Sequence, residues 1–333
     1  MANVVILHNP RGIHYVHNAW VQAIGAKGMA DVHPYHISIP IIPRLFTTIV
    51  NLMKVPKNTD VLICESGSYI FTGVFWKALR KSRKLVLILA DPKLHYLSKK
   101  GNLIKKLYAW ALGKFDLIIA VSPLMASYVP DKLKHRVAVV PTFGKSNMRP
   151  VRLDMASRNI IFMARICKEK GTDLLVDAFA KLRQAYPDSR LYVVGVSTYL
   201  FGQGNMRKIL ESKKIPGAIF TGRVPSVEDY MEKCSIYASM ARIDPAPVSI
   251  LEAMSQGLIP VVSRGVGNSY AVEEIDPSLV VDKPEDAVLA ITKLWSSPLL
   301  MREYSRRARE IAEKYSKEFS TGLFVKAIAP LLG

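Results

Sequence analysis

Cysteine is scarce in this sequence: Cys64, Cys167 and Cys234 stand far apart in 333 residues, with no C-x-x-C pair. That pattern excludes a disulfide framework and a cysteine zinc site, and it fits a reducing cytoplasm. No apolar run reaches the roughly 18 residues of a membrane span, and MANVVILHNPRG turns apolar too early and too briefly for a signal peptide. The chain is therefore expected not to cross a bilayer. Repeats of solenoid period and low-complexity tracts are also missing, which excludes stacked-repeat architectures. Acidic residues are few in the first half: residues 1–150 hold 21 Lys/Arg against 6 Asp/Glu, the rest 25 against 21. Histidine is confined to that same half, from His8 to His135. A one-sided positive domain implies an anionic partner, whether lipid surface, nucleic acid or phosphorylated substrate, or else a basic surface kept for solubility.

What is present reads as α/β. The length suggests two domains. Short buried-strand runs, VVILH (4–8), VLIC (61–64), LVLILA (85–90), LIIAV (117–121) and VAVV (137–140), mostly alternate with stretches long enough for helices. A second series follows: NIIFMA (159–164), LYVVG (191–195), AIFTG (218–222), SIYASM (235–240), IPVVS (259–263) and LVV (279–281). Such runs are the signature of βαβ units on a parallel sheet covered on both faces. The polar stretch around Pro141, Gly144 and Pro150 separates the series. The expectation is a basic N-terminal Rossmann-like domain over 1–150, a C-terminal one over 151–315, and a helix over 316–333 packing back on the first. Two doubly wound domains facing a cleft would bind ligands at the carboxyl ends of their sheets. The last 35 or so residues read as one long amphipathic helical pattern, for packing.

Three segments carry candidate chemistry. In FMARICKEKGTDLLVDAFAKL (162–182) a strand passes through Gly171 into a helix that Thr172 or Asp173 can cap. Arg165 and Lys170 then lie near a helix N-terminus, a combination that binds phosphate. In the second, Ser226 and Asp229 read as a capping box. In the third, RIDPAPVSILEAMSQG (242–257), Pro247 opens a helix that Gly257 ends. Asp244 falls in the loop and Glu252 on the helix, where a carboxylate can accept paired hydrogen bonds from vicinal sugar hydroxyls.

The order of these motifs (strand, R-x-x-x-x-K-G, LYVVG, FTGRV, then a carboxylate eight positions before the glutamate of LEAMSQGLIPVV) resembles the nucleotide-sugar-binding half of retaining family-four glycosyltransferases with the GT-B architecture. The resemblance covers roughly residues 115–315, including FDLIIAVSPLMASYV and VAVVPTFG; residues 1–110 match only as a generic Rossmann-like half. It implies a hexosyltransferase-like enzyme of glycan biosynthesis in which Arg165 and Lys170 hold the donor diphosphate and Glu252 takes the ribose hydroxyls. Asp244 faces the donor sugar or phosphate, and Pro247, Val248 and Ser249 lie against them.

The sequence departs from the family pattern in several places. Asp244 replaces the usual glutamate. The paired glycines become Gly265-Val266-Gly267, and Tyr270 stands where a glutamate is often found. Ala90 takes the place of the family histidine, leaving His95 and the following Asp91 as acceptor or sugar contacts. The glycine-rich loop is reduced to Gly12, expected to bind the donor, with Arg11 beside it and His14 as a further acceptor or sugar contact. D-x-D is absent, so no metal and no cofactor are expected, the nucleotide-sugar being a substrate and the protein cations neutralising the leaving diphosphate.

In residues 93–114, Lys99, Lys100, Lys105, Lys106 and Lys114 are interleaved with Leu103, Ile104, Leu107, Tyr108 and Trp110. Positions 103, 104, 107 and 111 keep helical spacing, so the helix either lies in an anionic membrane interface or packs its stripe on the sheet. The stretch 39–57 is also apolar and basic. The leading expectation is a peripheral enzyme on the cytoplasmic membrane face that glycosylates a membrane-associated or lipid-linked acceptor. The competing readings are a nucleic-acid-binding or nucleic-acid-glycosylating protein and a sugar-nucleotide epimerase of the same fold.

Overall fold

The structure, a computed structural model, describes residues 2–8, 13–25, 27–30, 52–53, 55–65, 67–80, 83–197 and 205–332. Two compact units emerge: Met1–Thr142 with Lys317–Gly333, and Phe143–Ser316. The division thus falls at Thr142/Phe143, and the last helix belongs with the first unit.

Unit 1 is built on six parallel strands, β1 (Val4–His8), β2 (Lys27–Ala30), β3 (Val61–Glu65), β4 (Lys84–Leu89), β5 (Leu117–Ala120) and β6 (Val137–Val139), in the order β2-β1-β3-β4-β5-β6. The central runs VVIL, VLICE and LVLIL are buried throughout. Helices on both faces make every side chain of such a strand internal, so no polar alternation is seen. The edge strand β2, Lys-Gly-Met-Ala, carries no β-branched or apolar run and gave no sequence signal; it is held by its backbone register on β1. The helices are α1 (Tyr15–Ala23), α2 (Ile70–Leu79), α3 (Lys93–Ser98), α4 (Asn102–Leu112) and α5 (Pro123–Ser127).

Unit 2 repeats the plan with β7 (Asn159–Met163), β8 (Arg190–Val194), β9 (Ala218–Gly222), β10 (Ile236–Ser239), β11 (Ile259–Ser263) and β12 (Val280–Val281), ordered β12-β11-β10-β7-β8-β9. Between them run α6 (Thr172–Ala185), α7 (Met206–Ser212), α8 (Glu228–Met231), α9 (Val248–Ser255), α10 (Ser269–Glu273) and α11 (Pro284–Trp295), and α12 (Pro298–Lys314) follows. Both strand orders are of the doubly wound kind, which binds ligands beyond the carboxyl ends of the strands where the order reverses. In unit 1 that switch point lies between β1 and β3; in unit 2 it lies between β7 and β10.

The long C-terminal pattern is two helices, because the chain changes units at its centre. Tyr315 is buried in unit 2, its hydroxyl 2.5 Å from Glu274 Oε1. The following α13 (Lys317–Ile328) is tied to unit 1. There Trp20 stacks on Phe324 at 5.4 Å and donates its indole N–H to Ser320 Oγ at 2.9 Å. Ser320 Oγ in turn donates to the Pro141 carbonyl at 2.5 Å, so both buried polar groups are satisfied. The Ser226–Asp229 expectation also shifts: α8 begins at Glu228, and Ser226 Oγ bonds the carboxylates of Glu228 at 2.9 Å and Asp229 at 3.3 Å.

Phe324 is fully buried. Phe324→Ala is expected to lower the stability of unit 1 by about 3–5 kcal/mol, the usual cost of such a cavity. Chemical denaturation followed by near-UV absorption of the buried Trp20 reads this directly, and an unchanged midpoint contradicts the packing role of α13.

Candidate active site

At the unit 2 switch point two loops are bound to each other through their backbones. One leaves β7 and runs from Ala164 to Gly171 into α6; the other leaves β10 and runs from Met240 to Pro247 into α9. The Glu169 carbonyl accepts the N–H groups of Arg242 at 2.8 Å and Ile243 at 3.2 Å. The Arg242 guanidinium spans back, donating to both Asp173 carboxylate oxygens at 2.7 and 2.8 Å and to the Lys168 carbonyl at 2.7 Å. Burial pushes the Asp173 carboxyl up, but this bidentate pairing outweighs it and holds the group below the usual range. Gly171 makes the close approach feasible: its φ is +64°, and a Cβ there would overlap the Met240 carbonyl.

That contact corrects the capping expectation. Gly171 is itself the N-cap, with no side-chain cap; Thr172 is the first helical residue, and its buried hydroxyl has no hydrogen-bond partner among the described residues. Asp173 is engaged by Arg242. Its carboxylate also accepts from the Leu174 and Asp173 backbone N–H groups, so the first turn of α6 is partly capped from within and keeps its positive dipole end.

Lys170, mostly buried, pairs its ammonium with Asp244 Oδ2. Asp244 is held by its backbone: its N–H donates to the Gly265 carbonyl and its carbonyl accepts the Gly267 N–H, each at 2.8 Å. The Gly265-Val266-Gly267 stretch thus forms a parallel bridge to Asp244, and Gly265 lies so close to the Ala241 carbonyl that a Cβ would overlap it. Asn268, fully buried, donates to the Pro247 carbonyl at 3.0 Å, while its Oδ1 has no partner among the described residues. Pro247 is the N-cap of α9, whose Ser249 hydroxyl lies 3.0 Å from the Tyr237 hydroxyl. Burial, reinforced by the charges of Asp244 and Glu252, pushes the Tyr237 phenol far up. Glu252 is on α9, buried, and Gly144 passes so near that a Cβ would sit 3.1 Å from the Glu252 nitrogen. Arg165, by contrast, is exposed at the end of β7.

The expected unit 1 residues fall into two groups. Asp91 holds the β4–α3 turn, accepting N–H groups from Gly67 at 2.9 Å and Lys93 at 3.0 Å. His95, on α3, has Nδ1 2.8 Å from the Tyr128 hydroxyl, and burial followed by the Lys99 charge lowers its basicity. His14 instead belongs to the β1–β3 switch point; Gly12 and Arg11 lie outside the described residues, as does most of 39–57.

The switch point also holds a pair that sequence reasoning missed. Glu65, the last residue of β3, has Oε1 2.5 Å from His17 Nδ1 and 3.4 Å from the His14 backbone N–H. Both side chains are buried. Burial raises the Glu65 carboxyl, but the hydrogen bond and charge of His17, with smaller help from His14 and His8, bring it below the ordinary value. A carboxylate closing a buried apolar strand was the available signal.

Two outcomes follow from this geometry. Gly171→Ala is expected to destabilise unit 2 by more than the roughly 1–2 kcal/mol of a left-handed alanine, because the Met240 carbonyl must also move; urea titration reads the loss, and wild-type stability contradicts the close approach. The depressed Glu65 carboxyl contributes stability above its unfolded pKa that is lost as pH falls through the folded one. Thermal melts from neutral to acid pH are expected to show a shallower acid decline in Glu65→Gln than in wild type; identical slopes contradict the pairing.

Residues 145–314, just over half the chain, match the family model of glycosyl transferases group 1. The alpha-monoglucosyldiacylglycerol synthase of Acholeplasma laidlawii is 26% identical over 47% of this chain and 40% of its own length. One component of the phosphatidylinositol N-acetylglucosaminyltransferase of Arabidopsis thaliana is 24% identical over 75% of this chain and 58% of its own length. The chain spans about half the length of the curated relatives it matches. The crystal structure of Anabaena HepE in complex with UDP and glucose superposes with a TM-score of 0.74 at 15% identity, over 99% of both chains, a likeness of fold. Two Rossmann-like units of the GT-B type, with the family match covering nearly all of the second, place the chain in the group 1 glycosyltransferases.

Proposed function

We propose that this protein transfers a sugar from a nucleotide-sugar to a membrane-associated or lipid-linked acceptor, with retention of configuration, no metal and no cofactor. The observation that carries the reading is the switch-point constellation of unit 2, where the Lys170–Asp244 pair and the N-terminal turn of α6 lie beyond β7 and β10. A diphosphate seated by that turn draws on its dipole, and on Lys170 and Arg165. As the bond from the sugar's anomeric carbon to the diphosphate oxygen breaks, negative charge grows on that oxygen and the two cations stabilise it. In a front-face reaction the acceptor hydroxyl attacks the anomeric carbon and gives its proton to the departing phosphate oxygen.

Glu252 takes the ribose hydroxyls as hydrogen-bond acceptor, and the backbone from Pro247 to Ser249 lies along the donor. Asp244, one methylene shorter than glutamate and fixed by its backbone, faces the sugar or phosphate while restraining Lys170. In unit 1, His14, His95 and Asp91 are assigned to the acceptor or sugar, and Gly12 to the donor. The relatives named for diacylglycerol and phosphatidylinositol products support a lipid acceptor, and the HepE complex with UDP and glucose supports the donor class. No helix among the described residues is long and apolar enough to cross a membrane, so a lipid acceptor is met at the surface, which we assign to the cytoplasmic face.

Glu252→Ala is expected to abolish nucleotide-sugar binding in calorimetry, whereas Asp244→Ala lowers turnover more than nucleotide affinity. Unchanged affinity in the Glu252 variant removes the central assignment. A thermal-shift screen of UDP, GDP, ADP and dTDP sugars identifies the donor, since a ligand at 100 times its Kd adds about 2.7 kcal/mol; no shift with any of them contradicts the reading.

A further inference from the structure

Helix α4 does not bury the apolar stripe its sequence spacing suggests. Only Ala111 and Leu112 are buried; Leu103, Ile104, Leu107 and Trp110 are 82, 40, 48 and 52% exposed. Positions 103, 107 and 110 follow one another at helical spacing, so the outward face of α4 is itself apolar. On the neighbouring α2, Phe71 meets Tyr108 of α4 edge-on at 5.2 Å, and one and two turns further along Phe75 and Leu79 are 50 and 74% exposed. Tyr96 on α3 is exposed as well. Large apolar side chains gathered on adjoining helices, rather than scattered singly, mark an interaction surface.

The charge around this face has one sign. Between Asp91 and Asp116 there is no acidic residue, and Lys99, Lys100, Lys105, Lys106 and Lys114 are all exposed. Neither flanking acid offsets them. Asp91 is bound to backbone N–H groups, and Asp116 is shared between Lys77 at 2.8 Å and the Leu85 N–H at 2.7 Å. Lys114 lies over the Trp110 ring at 5.3 Å, which puts a cation beside an exposed indole.

We infer that the α2–α4 face of unit 1 docks on an anionic lipid bilayer, with Leu103, Leu107 and Trp110 entering the headgroup–acyl boundary and the lysines meeting lipid phosphates. Apolar side chains facing outward match hydrocarbon and have no counterpart on a nucleic-acid backbone. A second copy of the chain would bring the same lysines against each other across a two-fold interface. The inference deepens the proposed transfer to a lipid acceptor and rests on that reading for its purpose, yet it is measured without donor or acceptor.

Trp110 makes the measurement direct. Of the four tryptophans, Trp20, Trp76 and Trp295 are buried, so an environment change on docking reports from Trp110. The whole protein is mixed with phosphatidylglycerol/phosphatidylcholine vesicles or with phosphatidylcholine vesicles alone, and fluorescence and sedimentation are followed at two salt concentrations. The expected result is a blue shift and co-sedimentation with the anionic vesicles only, weakened by salt. Trp110→Phe removes the shift but not the sedimentation. Lys105→Gln with Lys106→Gln weakens partition roughly 30-fold, from about a factor of five per basic residue near the surface. Leu103→Ser with Leu107→Ser abolishes the shift without lowering the melting temperature, since both side chains are exposed. Equal partition to neutral vesicles, indifference to the lysine changes, binding to duplex DNA without vesicle binding, or a concentration-dependent dimer seated on this face each overturns the inference. Retained nucleotide-sugar binding with no vesicle binding removes only the docking surface. Vesicle binding with no nucleotide-sugar binding removes the transferase reading and leaves the surface standing.

Discussion

The Glu169 carbonyl, accepting two N–H groups from the loop after β10, is the contact on which the unit 2 site depends. It joins loops that begin on adjacent strands at the switch point, and it closes only because Gly171 allows the chain to turn against the Met240 carbonyl. From that junction the rest follows. Lys170 is delivered to Asp244, Asp173 is shared between Arg242 and the first turn of α6, and Gly171 at the N-cap contributes no side chain.

Main-chain bonding also explains the Gly265-Val266-Gly267 stretch. Its carbonyl and N–H groups grip the backbone of Asp244 on both sides, so the carboxylate is placed by main-chain bonds and its side chain is left to Lys170. Glu252 is positioned differently, by a helix whose start is set by Pro247 and whose flank is covered by Gly144. The two acids share an electrostatic neighbour in Tyr237.

Unit 1 is also doubly wound but in a different strand order. Its switch point carries a buried carboxylate–imidazole pair, Glu65 and His17, where unit 2 has a lysine–carboxylate pair beside a helix turn. Its outer helices carry lysines around apolar side chains that the core does not use. Charge and apolarity are segregated between the units: unit 1 holds the unbalanced lysine face, while many of the surface charges of unit 2 are locally paired, as Arg149 with Asp229 and Glu232 shows.

Eleven of the twelve described strands were legible in the sequence as short apolar runs, and the central ones are continuous runs because they are buried on both faces. The exception, β2, is an edge strand whose pairing is a backbone matter. Arg165, Lys170, Asp244 and Glu252 were legible as positions on loops and helices, since Gly171 and Pro247 punctuate the chain locally. Their mutual geometry was not. The cap of α6, the bridge from Asp244 to Val266 and the Glu65–His17 pair join residues distant in sequence, and no local propensity encodes them. The sequence by itself determined the alternation of strands and helices, the basic first half and the residue types at the site. Only the tertiary structure decided which polar groups are already satisfied and which face of α4 meets solvent, because burial and hydrogen-bond partners are properties of what the folded chain brings together.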